Sequence, residues 1–269
     1  MTTSGPARDL AAGVSVVILL STLVEGPAIW LIAAVLLAAV AFGTLQLLGD
    51  GVAAAAGPGV PIEALFTPAV TAFAVLGSLR LVPQGFLLVP ALLGGAWLLI
   101  RVIAMEARVL ASQTGASGAD RTAVVGTGLV VGFLAFLGVA ALVPGSLPEP
   151  GTAAIGPTGA QLATLAGADA LVAFLLGYRA AALRTSNIRD VAWFALTSAI
   201  VVAIAATALR AMEIPRLLGP ALLVLVFFLW DAVHGSTPAR RRDARRLWET
   251  ILLAVLGLLV VAWSIRLHP

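Results

Sequence analysis

The sequence contains no cysteine and no lysine. Without cysteine there are no disulfides, no thiolate metal sites and no cysteine nucleophile. Without lysine there is no Schiff base to retinal or to pyridoxal phosphate. Charge is scarce too: 11% of the 269 residues are charged, less than half of the roughly 25% usual in a soluble domain. All 16 basic residues are arginines, and histidine occurs only as His234 and His268. What fills the chain is apolar, at 61% of residues and a mean hydropathy of +1.07. A soluble core of this length cannot absorb so much apolar surface, so the natural solvent is a bilayer. The expected class is an all-α, polytopic transmembrane helix bundle, with residues 1–269 as a single integral membrane domain. The Arg-only, Ala/Leu/Val/Gly-rich usage is that of GC-biased coding and points to a bacterial chain.

A spanning helix needs roughly 20 apolar residues, and about nine segments qualify or come close. They run from Leu10 to Val24, Ala28 to Leu48, Ile62 to Leu79, Pro83 to Met105 and Thr122 to Val143. The remaining four run from Gln161 to Ala182, Asp190 to Leu209, Pro215 to Val233 and Leu247 to Ile265. The first is short and follows Arg8, so it also reads as a signal peptide. Ser21 to Pro27 offers no small-x-small cleavage site, which favours a retained helix.

The arginines orient the bundle. With a cytoplasmic N-terminus and nine crossings, twelve of the sixteen fall inside: Arg8; Arg101, Arg108 and Arg121; Arg179, Arg184 and Arg189; and Arg240, Arg241, Arg242, Arg245 and Arg246. Arg80, Arg210, Arg216 and Arg266 fall outside. The expected topology is N-inside and C-outside in a plasma or inner membrane. The net charge of +3 therefore reads as surface anchoring, with no nucleic-acid partner. The cluster Arg240 to Arg246 suits anionic lipid headgroups, at about 1 kcal/mol per residue near the surface, and equally suits plain orientation.

A shift of 130 residues superimposes helices two to five on helices six to nine. Leu79-Arg80 meets Leu209-Arg210, and Pro90-Ala91-Leu92-Leu93 meets Pro220-Ala221-Leu222-Leu223. Two parallel four-helix repeats, 28–144 and 158–267, with one added N-terminal helix, would explain this. Chance between two Ala/Leu-rich halves would explain it as well. Pro90 and Pro220 would each kink a helix or mark its true start. Paired, interrupted helices in corresponding halves are a pointer to a transporter site.

Asp169 is the most costly side chain. It lies about eight residues into the sixth helix, roughly 12 Å from its outer end. A charge near the bilayer centre costs about 2.5–3.5 kcal/mol on insertion scales, so a partner, a wet cavity or a proton must offset it. Arg210 is the nearest partner by depth, and Arg80 is its repeat mate. Asp169, Arg210 and Arg80 are thus the candidate binding residues for an ion, a proton or a polar solute. The alternative is a helix that starts late, near Gly167, with Asp169 as its cap.

Other groups carry less. Asp231 and His234 are three apart and share a helix face with proton-relay or metal potential, but they are too few ligands for a metal site. An interfacial end at Trp230 is the blander reading. Glu106, between Arg101 and Arg108, reads as part of a solvated helix end. Gly128/Gly132 and Ala195/Ala199/Ala203 suit close helix packing or an oligomer interface. Gly115-Ala116-Ser117-Gly118 spells the GxSG of intramembrane serine proteases but lies in a polar loop, and HExxH is absent. No catalytic constellation, no cofactor and no metal site is expected. The functional expectation is a transporter-like or channel-like protein for a small polar solute or ion. The alternative is a non-catalytic structural or assembly subunit, as a homo-oligomer or with a membrane-complex partner.

Overall fold

A computed structural model describes residues 4–24, 26–54, 59–83, 85–112, 118–143, 158–212, 217–234 and 244–267. Among these the regular structure is helical, and no strand occurs. The first five helices are α1 (Ser4–Ser21), α2 (Ala28–Ala54), α3 (Phe66–Leu79), α4 (Leu88–Ala111) and α5 (Gly118–Leu142). They are followed by α6 (Gly159–Ala182), α7 (Ile188–Ala211), α8 (Leu218–His234) and α9 (Ala244–Leu267). A 3₁₀ turn, Ile62–Leu65, leads into α3.

Local chemistry sets several helix starts. The Thr158 side chain accepts from the Gln161 backbone N–H, while the Gln161 side chain accepts from the Thr158 N–H. This capping box satisfies two donors that the first turn of α6 leaves orphaned. Asn187 caps α7 by accepting from the Arg189 N–H, and Asp190 adds negative charge to that first turn. Pro90 and Pro220 are each the third residue of their helix, α4 and α8. In the first turn a missing N–H costs no helical hydrogen bond. The two prolines therefore mark starts, and the alternative of a kinked helix is corrected.

Six helical segments are long and apolar enough to cross a membrane. They are Ala28–Asp50, Ile62–Leu79, Leu88–Ala111, Thr122–Leu142, Gly159–Ala182 and Ile188–Ala211. Leu218–His234 and Ile251–Trp263 are apolar but shorter, and α1 carries Arg8 and Asp9 near its start. The expectation of about nine crossings thus has firm support from six.

The chain divides into two compact units, residues 1–144 and 145–269. In the first, α3 is the hub: α5, α2, α4 and α1 all pack against it. Every residue from Thr67 to Gly77 is buried, as is Leu79. A helix apolar or small on all sides is what such a central position needs. Its tightest contact is glycine on glycine. A Cβ built on Gly77 would overlap the Gly138 backbone of α5, and one on Gly95 of α4 would overlap Val75. In the second unit, α6 and α7 form an antiparallel hairpin with the largest interface, α8 packs on α7, and α9 packs on α8. Gly177 of α6 lets Ser198 and Ala195 of α7 close in. Gly128, by contrast, has nothing within 4 Å of a built Cβ, so the close approach of α5 runs through Gly138.

Candidate functional site

Asp169 sits in the third turn of α6, beyond its capped start, and is completely buried, at 0% exposure. Since α6 begins at Gly159, the alternative of a late start capped by Asp169 is corrected. Ten residues of helix place Asp169 roughly 15 Å from that end, deeper than the sequence suggested. Ser198 of α7 donates to the Ala173 carbonyl of α6 at 3.4 Å, which sets the register of the hairpin. By that register Asp169 stands level with about Val202, and Arg210 lies eight residues, about two turns, nearer the helix end.

The two side chains nevertheless meet. Helical Cα–Cβ bonds tilt toward the helix N-terminus. On antiparallel helices, Arg210 therefore leans inward along α7 and Asp169 leans outward along α6. Arg210 donates to Asp169 Oδ2 from Nη2 at 2.7 Å and from Nε at 3.3 Å. Its own side chain keeps 17% exposure. The charged head thus remains near the polar end while its stem crosses apolar surface. Both donors converge on one oxygen. Asp169 Oδ1 is buried and has no hydrogen-bond partner among the described residues. An unsatisfied buried acceptor costs about 1–3 kcal/mol, and more when charged. The pair neutralises the net charge at depth and leaves one strong acceptor open to a donor, a cation or a proton.

Arg80, the third candidate, is engaged elsewhere. Its guanidinium donates to the carbonyls of Ser21, at 2.9 Å, and Val24, at 3.1 Å. It thereby adds a donor to carbonyls at and just past the C-terminal end of α1, where the Ser21 carbonyl already accepts from the Val24 N–H. Asp169 and Arg210 belong to one unit and Arg80 to the other. Arg240, Arg241 and Arg242 lie outside the described residues, as does the Gly115–Ser117 stretch. Arg245 and Arg246 fall within α9, but their side chains are not described.

A second cluster closes the other end of the hairpin. Arg184, just past α6, forms an ion pair with Asp231 of α8 through Nη2 and Oδ1. Its guanidinium carbon also stands 5.3 Å from the Phe194 ring centroid. His234 stacks on Trp230 with centroids 3.7 Å apart. Of the two readings of this helix end, the structure adds that Asp231 reaches across to Arg184 on another element and that His234 lies along the Trp230 indole. Two donors here, Arg184 Nη1 and Trp230 Nε1, are buried without an acceptor among the described residues. Each such donor carries a cost of about 1–3 kcal/mol.

Two further charged residues escaped the sequence reading. Glu106 is fully buried in α4, between exposed Arg101 and Arg108. Its role as a solvated helix end is corrected: the side chain lies on the core face with Val102, Met105 and Val109. Arg101 instead stands over the Trp97 ring, 5.6 Å from its centroid. Arg179, counted among the surface anchors, is 4% exposed. The signal for Glu106 was present, since positions 99, 102, 103, 106 and 109 share one helical face. Among the described residues, no three His, Asp or Glu side chains are grouped to hold a metal.

These features define a helical protein compatible with residence in a membrane, with a buried ion pair inside an apolar hairpin. Comparison with protein families, curated proteins and solved structures finds no match to this chain.

Proposed function

We propose that this protein is a multi-pass membrane protein, transporter-like or channel-like, that takes a small ion or polar solute at Asp169. The observation that carries this reading is the unpartnered Oδ1 of a fully buried aspartate. It sits in a helix long and apolar enough to cross a membrane. Intramembrane ionisable groups are expensive and mark ion and proton paths by default. Arg210 supports the role by offsetting the carboxylate charge from the side of Oδ2 alone. Arg80 supports it only indirectly, by fixing α1. The protein is read as a bacterial inner-membrane protein, without enzymatic activity, with its N-terminus cytoplasmic and the Arg240–Arg246 stretch near anionic headgroups.

Flux of protons and of monovalent cations into proteoliposomes tests this, comparing wild type with Asp169→Asn. The expected result is at least a tenfold loss of flux with the protein still folded. Unchanged flux overturns the assignment of Asp169.

A second reading, a non-catalytic structural or assembly subunit, draws on α9. Among the described residues α9 packs chiefly against α8, and it exposes Trp248, Leu252, Leu256, Leu259 and Trp263. A stoichiometric membrane partner on mild detergent extraction, with no flux in liposomes, favours that reading.

A further inference from the structure

We propose that the open face of α4 holds an anionic phospholipid, with its phosphate on Arg101 and its acyl chains along Leu93 and Val89. Val89, Leu93, Trp97, Arg101 and Arg108 are all exposed. At about 100° per residue they fall within a third of the helix circumference. The opposite side, with Leu99, Val102, Ile103 and Glu106, is buried. The open face changes chemistry once along its length. It is apolar at Val89 and Leu93, carries an indole at Trp97, and ends in guanidiniums at Arg101 and Arg108. Glu106 is the sole acid of α4 and lies on the core side, so the cationic end calls for an anion. Two of these groups are placed against each other: the Arg101 guanidinium carbon lies 5.6 Å from the Trp97 ring centroid. The lean of helical side chains toward the N-terminus brings Arg101 back over the residue one turn earlier. A cation–π contact consumes no N–H donor, and a guanidinium fork matches two non-bridging oxygens of a phosphate. The site is reachable, since the Trp97 residue is 60% exposed and Leu93 is 66% exposed.

The dimensions of the face favour a lipid over a free phosphate or an acidic protein. From Arg101 back to Val89 is roughly 18 Å of helix, slightly more than half of the roughly 30 Å hydrocarbon core. The apolar stretch is therefore one leaflet long. Trp97 stands one turn inside Arg101, at the level where membrane proteins concentrate tryptophan. Arg108 stands roughly 10 Å further out along the same face, in the headgroup layer. An arginine that faced hydrocarbon with no phosphate in reach would be costly, and a headgroup drawn to Arg101 removes that cost. The positive-inside bias puts Arg101 and Arg108 on the cytoplasmic side, the leaflet whose surface is negative. The inference rests on α4, a segment long and apolar enough to cross, residing in a membrane, and not on flux at Asp169.

Full-length protein, delipidated in neutral detergent, is titrated with phosphatidylglycerol, with phosphatidylcholine of the same chains and with glycerol phosphate, and binding is read by native mass spectrometry. The variants are Arg101→Gln and Arg108→Gln, with Arg189→Gln, an exposed arginine at the start of α7, as the control for charge in general. All three change exposed side chains, and thermal unfolding checks that each still folds. Phosphatidylglycerol affinity should fall about tenfold in Arg101→Gln, which loses a charge-assisted hydrogen bond. It should fall about fivefold in Arg108→Gln, which loses a nearby surface charge, and hold in Arg189→Gln. Phosphatidylcholine should bind at least tenfold more weakly. Unchanged affinity in Arg101→Gln, or an equal loss in Arg189→Gln, overturns the site. Glycerol phosphate binding as tightly as the lipid overturns the lipid source. An acidic protein that co-purifies with wild type and is lost in Arg101→Gln, while lipid affinity holds, assigns the face to a protein instead. Release of the wild type from membranes by alkaline carbonate overturns membrane residence itself; retention with unchanged lipid affinity in Arg101→Gln overturns this site alone.

Discussion

Asp169 and Arg210 can be separated by what each does for the other. Removing one partner of a buried ion pair strands the second, at a cost of about 3–5 kcal/mol, whereas replacing both with apolar residues of similar volume is close to neutral. Asp169→Asn and Arg210→Gln should therefore each lower unfolding stability in detergent by about that amount. Asp169→Leu combined with Arg210→Met should recover most of it. If the double variant is as stable as wild type and still supports flux, the pair is a packing device and nothing more. This pairing was the part of the site most readable from residues, because depth along two antiparallel helices is countable. Arg184–Asp231 was not readable in that way. Spacing of three on α8 pointed Asp231 toward His234, and no periodicity reports a partner 47 positions away. Arg80 shows the same limit: equivalent by a shift of 130 to Arg210, it spends its hydrogen bonds on the end of α1.

Helices differ in how much their neighbours can move. The α3–α5 crossing brings Gly77 and Gly138 backbones together, and backbone atoms cannot turn aside as a side chain can. Gly77→Val or Gly138→Val should therefore cost at least the upper part of the about 1–3 kcal/mol typical of overpacking. Gly128→Ala on the same helix faces open space and should change stability by less than about 0.5 kcal/mol. Thermal unfolding in one detergent compares all three. A loss at Gly128 equal to that at Gly77 would contradict this crossing. If Gly128→Leu lowers oligomer mass in light scattering while the unfolding temperature holds, that face meets another chain. Helix existence was legible from apolar runs, whereas the start of α6 was left between Gln161 and Gly167 and is set by the Thr158–Gln161 capping box. The central place of α3 was not legible. In a bilayer, lipid-facing and core-facing residues are both apolar, so hydropathy alone does not say which helix is enclosed. Small residues along α3, including Thr71, Ala72, Ala74 and Gly77, were the available clue.

For the whole molecule, one topological test is independent of α1, α8 and α9. Three segments lie between Phe86 and Ser186: Leu88–Ala111, Thr122–Leu142 and Gly159–Ala182, each long and apolar enough to cross. Three crossings are an odd number, so positions 86 and 186 must face opposite sides whatever α1, α8 and α9 do. Because the chain has no cysteine, single cysteines introduced at these sites report without background. Phe86 is 84% exposed in the turn before α4, and Ser186 is exposed in the turn before α7. The Arg179, Arg184 and Arg189 group flanks Ser186, so the positive-inside bias places it in the cytoplasm. A membrane-impermeant maleimide on intact cells should therefore label Phe86→Cys and spare Ser186→Cys, with the reverse in inverted vesicles. Labelling of both from one side would mean that one of the three segments does not cross. The segment to suspect first is then α6: it carries Asp169 and has the lowest mean hydropathy of the three, at 1.6. In that case Asp169–Arg210 would be an interfacial ion pair, and the cost that motivates an ion site would vanish with it.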